Sequence, residues 1–163
     1  MTAELIAPYT RGRGIAWTAR SARRRQGRVH AQPPGADSPV HPLWTSLVDV
    51  LGSIEGPSSA LLATDAGEPV AAHGLSRPDA ARMAHRSRAT FAAARPAPGD
   101  PATVETVEHT SGPRHTVIAS VPAPGRPVHL LTVTAQGVSR QVLGAWTRRL
   151  ADDIHQALSA PDA

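Results

Sequence analysis

Side chains able to do nucleophilic, acid–base or metal chemistry are few in this chain. Cysteine and lysine are both absent. No thiolate nucleophile, phosphate-loop lysine or Schiff base can therefore form. Eight histidines are present, but none has the His-Glu-x-x-His spacing that sets two zinc ligands on one helix face. No Gly-x-Ser-x-Gly elbow occurs either. His109 and His115 bracket a Gly-Pro turn and are expected to face each other across a hairpin mouth. Two ligands on an exposed loop make a poor metal site, so solvated side chains are the plainer reading. Glu105 and Glu108 lie three apart on a strand, point to opposite faces and cannot pair as acid and base. Asp152 and Asp153 read as the wet side of a helix. Arg82 and Arg86 remain, one helical turn apart: two fixed cations suited to carboxylates on a partner or, more plainly, to water. No catalytic residue, metal or cofactor is expected.

The charge is unevenly placed. The chain has 163 residues, a formal charge of +4 and a pI near 11.1. Residues 1–40 hold seven arginines against two acids, or +5, and residues 41–163 hold ten against eleven, or −1. The basicity thus belongs to an N-terminal tail rich in Arg, Gly and Pro. Such a segment has no apolar period with which to offset its ordering entropy, so residues 1–41 are expected to be disordered. Through arginines and the stacking side chains Tyr9 and Trp17, the tail could meet nucleic acid or an anionic surface. Arg23-Arg24-Arg25 is not followed by the apolar stretch of an export signal, and no window is long enough for a membrane span. A cytoplasmic protein is expected. All-arginine, alanine-rich usage fits a GC-rich coding bias, and a valine start at Val40 is the alternative account of the tail.

Regular patterning begins near Pro42. Leu43, Leu47, Val50, Leu51 and Ile54 recur at helical spacing, and Gly56-Pro57 ends that helix. Ser58–Thr64 and Pro69–His73 read as two strands about an Asp-Ala-Gly-Glu turn. Ser76, Pro78 and Asp79 open a second helix running to Ala94, with Ala80, Met83, Ala84, Ser87, Phe91 and Ala94 inward. A proline-rich loop over 95–101 follows. Three strands are then expected, at Ala102–His109, His115–Val121 and Pro127–Thr134, the last at the sheet centre. A final amphipathic helix after Gly137 carries Val138, Val142, Ala145, Trp146, Leu150, Ile154 and Leu158 inward. Arg140, Arg148, Arg149, Asp152 and Asp153 fall on its wet side. The last five residues, 159–163, read as a C-terminal tail. The order α-β-β-α-β-β-β-α calls for an α+β domain, with an antiparallel sheet covered by helices.

Residues 43–158 resemble the roadblock / dynein light-chain family. The best local match is the run from Gly56-Pro57 through Leu61-Leu62-Ala63-Thr64, Asp65-Ala66-Gly67 and Val70-Ala71-Ala72 to Gly74. The Leu130-Leu131-Thr132-Val133 strand before Gly137 and the last helix adds to it. The resemblance implies a five-stranded antiparallel sheet, with the middle helix on one face and the terminal helices on the other. It implies a homodimer joined through the middle helices and the third strand, hence through Ala84, Ala89, Ala92, Val104 and Thr106. It also implies a non-catalytic partner of a small Ras-like GTPase, which Arg82 and Arg86 would meet, sometimes beside a sensor kinase. The chain departs from the bacterial members in lacking an acidic-then-glycine hairpin between the third and fourth strands. Profilin-like and longin-like domains share the layout, so a ligand- or peptide-binding sensor is the second reading. Tail-driven binding to nucleic acid or a membrane surface is the third.

Overall fold

In the computed structural model, which describes residues 33–95 and 102–160, three helices and five strands alternate in the expected order. They are α1 (His41–Gly52), β1 (Ser58–Thr64), β2 (Pro69–His73), α2 (Arg77–Ala94), β3 (Thr106–Ser111), β4 (Arg114–Val121), β5 (His129–Gln136) and α3 (Arg140–Ser159). Tyr9, Trp17 and the arginine tail up to residue 32 lie outside the described residues, as does 96–101 of the proline-rich loop. Packing begins upstream of Pro42. Pro34 is buried, its carbonyl accepts from the His41 imidazole at 3.1 Å, and Val40 is 2% exposed.

The sheet is antiparallel throughout, in the order β2-β1-β5-β4-β3. β5 is its centre, as its apolar run demands. Alternation along β5 sends Leu131, Val133 and Ala135 to one face and Leu130 and Thr132 to the other. On the first face, α1 and α3 close a core of Trp44, Leu47, Leu51, Leu62, Val117, Val121, Leu131, Leu143 and Ile154. On the second, α2 lays Ala80 and Ala84 on Leu61, Ala63 and Ala72, and Phe91 on Ile118 and Leu130. The middle helix therefore lies alone on one face and the terminal helices share the other.

Several expectations are corrected. The buried side of α1 is Trp44, Leu47 and Leu51, with Val50 39% exposed. The Trp44-to-Leu47-to-Leu51 steps keep one stripe, and Val50 falls a residue off it. On α3 the stripe runs back from Leu158 through Ile154, Leu150 and Thr147 to Leu143, leaving Val142 60% exposed. Val142 is one residue, or about 100°, out of phase. Trp146 is half-buried against the core. β3 begins at Thr106 rather than Ala102, because the Glu105 N–H leaves the ladder for the Ser120 hydroxyl at 3.0 Å. The Arg95 side chain reaches the Glu105 carboxylate at 2.8 and 3.1 Å. The β3–β4 turn needs only Gly112 and Pro113, with Ser111 opposite Arg114. Gly112 at φ +58 followed by Pro113 has the sign pattern of a type II′ turn. His109 then pairs with Thr116 and His115 with Thr110, so the two histidines lie on opposite faces. β5 likewise runs two residues further than expected, to Gln136.

Two interior features carry measurable consequences. The Thr147 hydroxyl is fully buried and has no hydrogen-bond partner among the described residues. Thr147→Val keeps the shape and removes that group, and it should raise unfolding stability by about 1 kcal/mol in urea titration. The His129 imidazole at the start of β5 is held below the ordinary histidine value by burial, with Arg126 adding to the effect and Asp65 opposing it. Burial alone lowers His73. In both cases the unfolded chain binds the proton more readily, so stability is fully present above about pH 6.5 and declines as pH falls below it. Melting temperatures of the parent and His129→Gln between about pH 5 and 7.5 should show a shallower acid-side loss for the variant.

Candidate functional site

The helix α2 organises one whole face of the molecule. Ser76 caps it by accepting the Asp79 N–H at 3.3 Å, and Pro78 occupies the first turn. Gly74 makes the approach to the helix possible. Its φ is +71, and a Cβ there would lie 2.5 Å from the Ser58 carbonyl oxygen. The helix is fixed to the central strand by a buried hydrogen bond in which the Thr132 hydroxyl donates to Ser87 at 2.9 Å.

Outward, α2 presents Arg77, Arg82, Arg86 and Arg88 as exposed side chains, interspersed with exposed Ala89, Ala92 and Ala93. Arg82 is engaged by Asp79, one turn back, which holds that carboxyl below its ordinary range through hydrogen bonds from Ser76 and Arg82. Arg86 has no carboxylate partner among the described residues. It leans on a groove of about 590 Å³ between α2 and the sheet, where α2 covers β2, β1 and β5 and reaches β4 through Phe91 but leaves the turn end of the β3–β4 hairpin open. Ser87 and Thr90 line the helix wall, and Thr116, Ile118, Thr132 and Thr134 line the floor. His109, Ser111 and Arg114 of the hairpin form the far rim. Thr116 and Thr134 hydroxyls bond each other at 3.0 Å across the two strands.

The expected interface residues separate into two groups. Ala89 and Ala92 are exposed on α2, beside Arg86 and at the surface. Ala84, at 1% exposure, packs inward on the chain's own sheet. Val104 packs against the core of the other face. Thr106 also faces that way and accepts from Arg148 of α3 at 2.7 Å. Glu105 and Glu108 are directed apart: Glu105 to Arg95, and Glu108 to Arg140 at 3.4 Å beside Gly144. No cluster of three or more metal-ligating side chains occurs among the described residues. None of their helices is long and apolar enough to cross a membrane. Sequence reasoning missed the groove. Its one legible signal is the Thr132-x-Thr134 pair, two hydroxyls on the same side of an otherwise apolar central strand.

β3 is the sheet's outer strand on this side, with one row of backbone groups unpaired among the described residues. A lone middle helix over an open-edged five-stranded sheet, backed by two terminal helices, is an arrangement found in solved structures. A roadblock/LC7 domain from Streptomyces avermitilis is 21% identical, with a TM-score of 0.54, covering 68% of this chain and 92% of that one. This is the roadblock fold. MglB in a tetrameric arrangement is 16% identical at a TM-score of 0.51, covering 80% and 97% of the two chains. The gliding protein MglB from Thermus thermophilus is 15% identical at 0.50, covering 80% and 98%. No family model matches the sequence, and no curated protein does either. In roadblock terms, the groove lies on the middle-helix side, bounded by the exposed edge of the sheet.

The Ser87–Thr132 bond allows a clean test of how α2 is held. Ser87→Ala leaves a buried hydroxyl unpaired and should cost about 1–2 kcal/mol, whereas Ser87→Ala with Thr132→Val removes both partners and should recover most of that loss. Equilibrium unfolding of the four proteins in the cycle measures it.

Proposed function

We propose that the chain is a non-catalytic homodimeric regulator or scaffold that binds a small Ras-like GTPase, in a cytoplasmic signalling system that can include a sensor kinase. The observation that carries this reading is the surface of α2. Its exposed Ala89, Ala92 and Ala93 leave room for another backbone, and the edge strand β3 has its outer backbone groups unpaired among the described residues. A second copy across a two-fold axis could match α2 to α2 and β3 to β3. The roadblock fold supports this, as does the tetrameric arrangement of the structurally similar MglB.

GTPase regulation rests on the fold and on charge. Arg82 and Arg86 add permanent positive charge to a face where Asp79 is the sole acid of α2. A partner with acidic surface groups would be steered there. The dimer would act by position, holding the GTPase switch segments in one state in proportion to its differential affinity for the two nucleotide forms. Arginines of this face could also approach the phosphates directly, as a finger residue does.

Light scattering of the full chain should give a dimer mass, and Ala92→Glu should shift it to a monomer without changing the helical signal. A strict monomer in the parent at high micromolar concentration contradicts the reading. Ala92 suits this test better than Ala84, because a charge at Ala84 would enter the chain's own core. Pulldown with GTP- and GDP-loaded GTPase from the same gene neighbourhood should favour one form. Arg82→Ala with Arg86→Ala should weaken it by about threefold to tenfold, more at low salt. No binding to either form sinks the GTPase assignment.

A further inference from the structure

We infer that residues 1–32 dock on the outer face of α1 and the adjoining β1–β2 turn of the same chain, their arginines meeting its carboxylates. Charge is sorted along the sequence. Residues 33–76 contain no arginine or lysine and five acids, Asp37, Asp49, Glu55, Asp65 and Glu68, or −5. Residues 1–32 hold seven arginines against Glu4, or +6. All five carboxylates belong to exposed residues, and the ion pairs among the described residues lie elsewhere, at Asp79, Glu105, Glu108 and Asp153. The Ser58 hydroxyl donates to the Leu51 carbonyl at 3.2 Å, closing the reversal that sets α1 antiparallel to β1. The acids therefore surround one structural unit that has no arginine of its own, and a polycation complements it.

The point where the tail joins the domain favours this occupant. Pro34 and Val40 are buried, so the chain leaves the domain from a fixed place at the entrance to α1. The 32 residues beyond it span up to about 100 Å when extended, against about 18 Å for the length of α1. Such a tether keeps the arginines at high local concentration beside the acids, so that exposed pairs, each weak alone, act together. The face also carries uncovered apolar surface. Val50 and Val142 are the large apolar side chains left exposed. Both lie where the exit of α1 meets the entry of α3, because a Cβ on Gly137 would come 2.7 Å from the Glu55 carbonyl oxygen. Ile15 and Trp17, set between Arg13 and Arg20, can cover them. The α2 face repels the tail, since it carries Arg77, Arg82, Arg86 and Arg88. β2 lies at the far end of the strand order from β3, so a tail docked here leaves α2 and the β3 edge to a second copy.

The chain has no cysteine, so Ser21→Cys in the full chain takes a nitroxide label at one place, among the arginines. At low salt the label should attenuate amide signals of α1, Glu55 and the Asp65–Glu68 turn, relative to the reduced label, and spare α2. Raising salt to about 0.5 M should reverse most of that attenuation, because contacts between exposed charges are screened. Asp49→Asn, Glu55→Gln, Asp65→Asn and Glu68→Gln together should do the same at low salt. All four positions are exposed, and unchanged signals from the β5 core show that this variant is folded. The proposal is overturned if α1 is not attenuated at low salt, if α2 is attenuated instead, or if attenuation survives both the salt and the carboxamide variant. A mixture of labelled chain and unlabelled, isotope-enriched chain separates the two possible sources of the tail. Attenuation as strong there as within one chain assigns the contact to a neighbouring copy, and overturns it too. These readouts need no GTPase, so they are independent of the pulldown.

Discussion

His129–Gln136 must satisfy two partners at once, β1 along one side and β4 along the other. Each partner belongs to a hairpin, β1–β2 or β3–β4, and the hairpins do not pair with one another. β5 is therefore what turns two locally encoded hairpins into one sheet. Its position also sets the helices. With Leu131, Val133 and Ala135 on one face, and Leu130 and Thr132 on the other, both sides of the same strand must be covered. Such a strand can exist only with helices front and back, because any face left bare would expose apolar surface at the sheet centre.

The two coverings differ in kind. The face under α1 and α3 is closed by large aliphatic side chains and Trp44. The face under α2 relies on alanines where the helix sits and on hydroxyls where it does not. One helix cannot span five strands spaced about 4.8 Å apart, so the β3–β4 side of that face stays open. The exposed arginines and small side chains of α2 gather on it. The larger of the buried clusters lies on the first face.

Element identity was readable because the signals were local and redundant. Ser76, Pro78 and Asp79 each mark the start of α2, and β1 and β2 end where Gly-containing turns require. Phase was less readable. Val142 and Val50 are as apolar as Leu143 and Leu51, and composition alone cannot rank neighbours one residue apart. Only the sheet against which each helix settles selects the stripe. Register of the β3–β4 hairpin was misjudged for a similar reason: Gly112-Pro113 suffices as a two-residue turn, and each extra loop residue moves side chains to the other face. That one displacement separates His109 from His115. The groove was illegible because its walls come from four separate segments, and no single segment names it.

The Arg95–Glu105 contact joins the exit of α2 to the approach to β3, two points ten residues apart. Glu105 is further secured by Ser120: its carbonyl accepts the Ser120 N–H at 2.8 Å, and its own N–H donates to the Ser120 hydroxyl at 3.0 Å. The crossover between the two halves of the sheet is thus closed by side chains, independently of the chain that links them. In evolutionary terms this makes the crossover a port. Its length is released from the duty of setting strand register, and extra sequence, even a folded module with neighbouring termini, could be accepted there at little cost to the sheet.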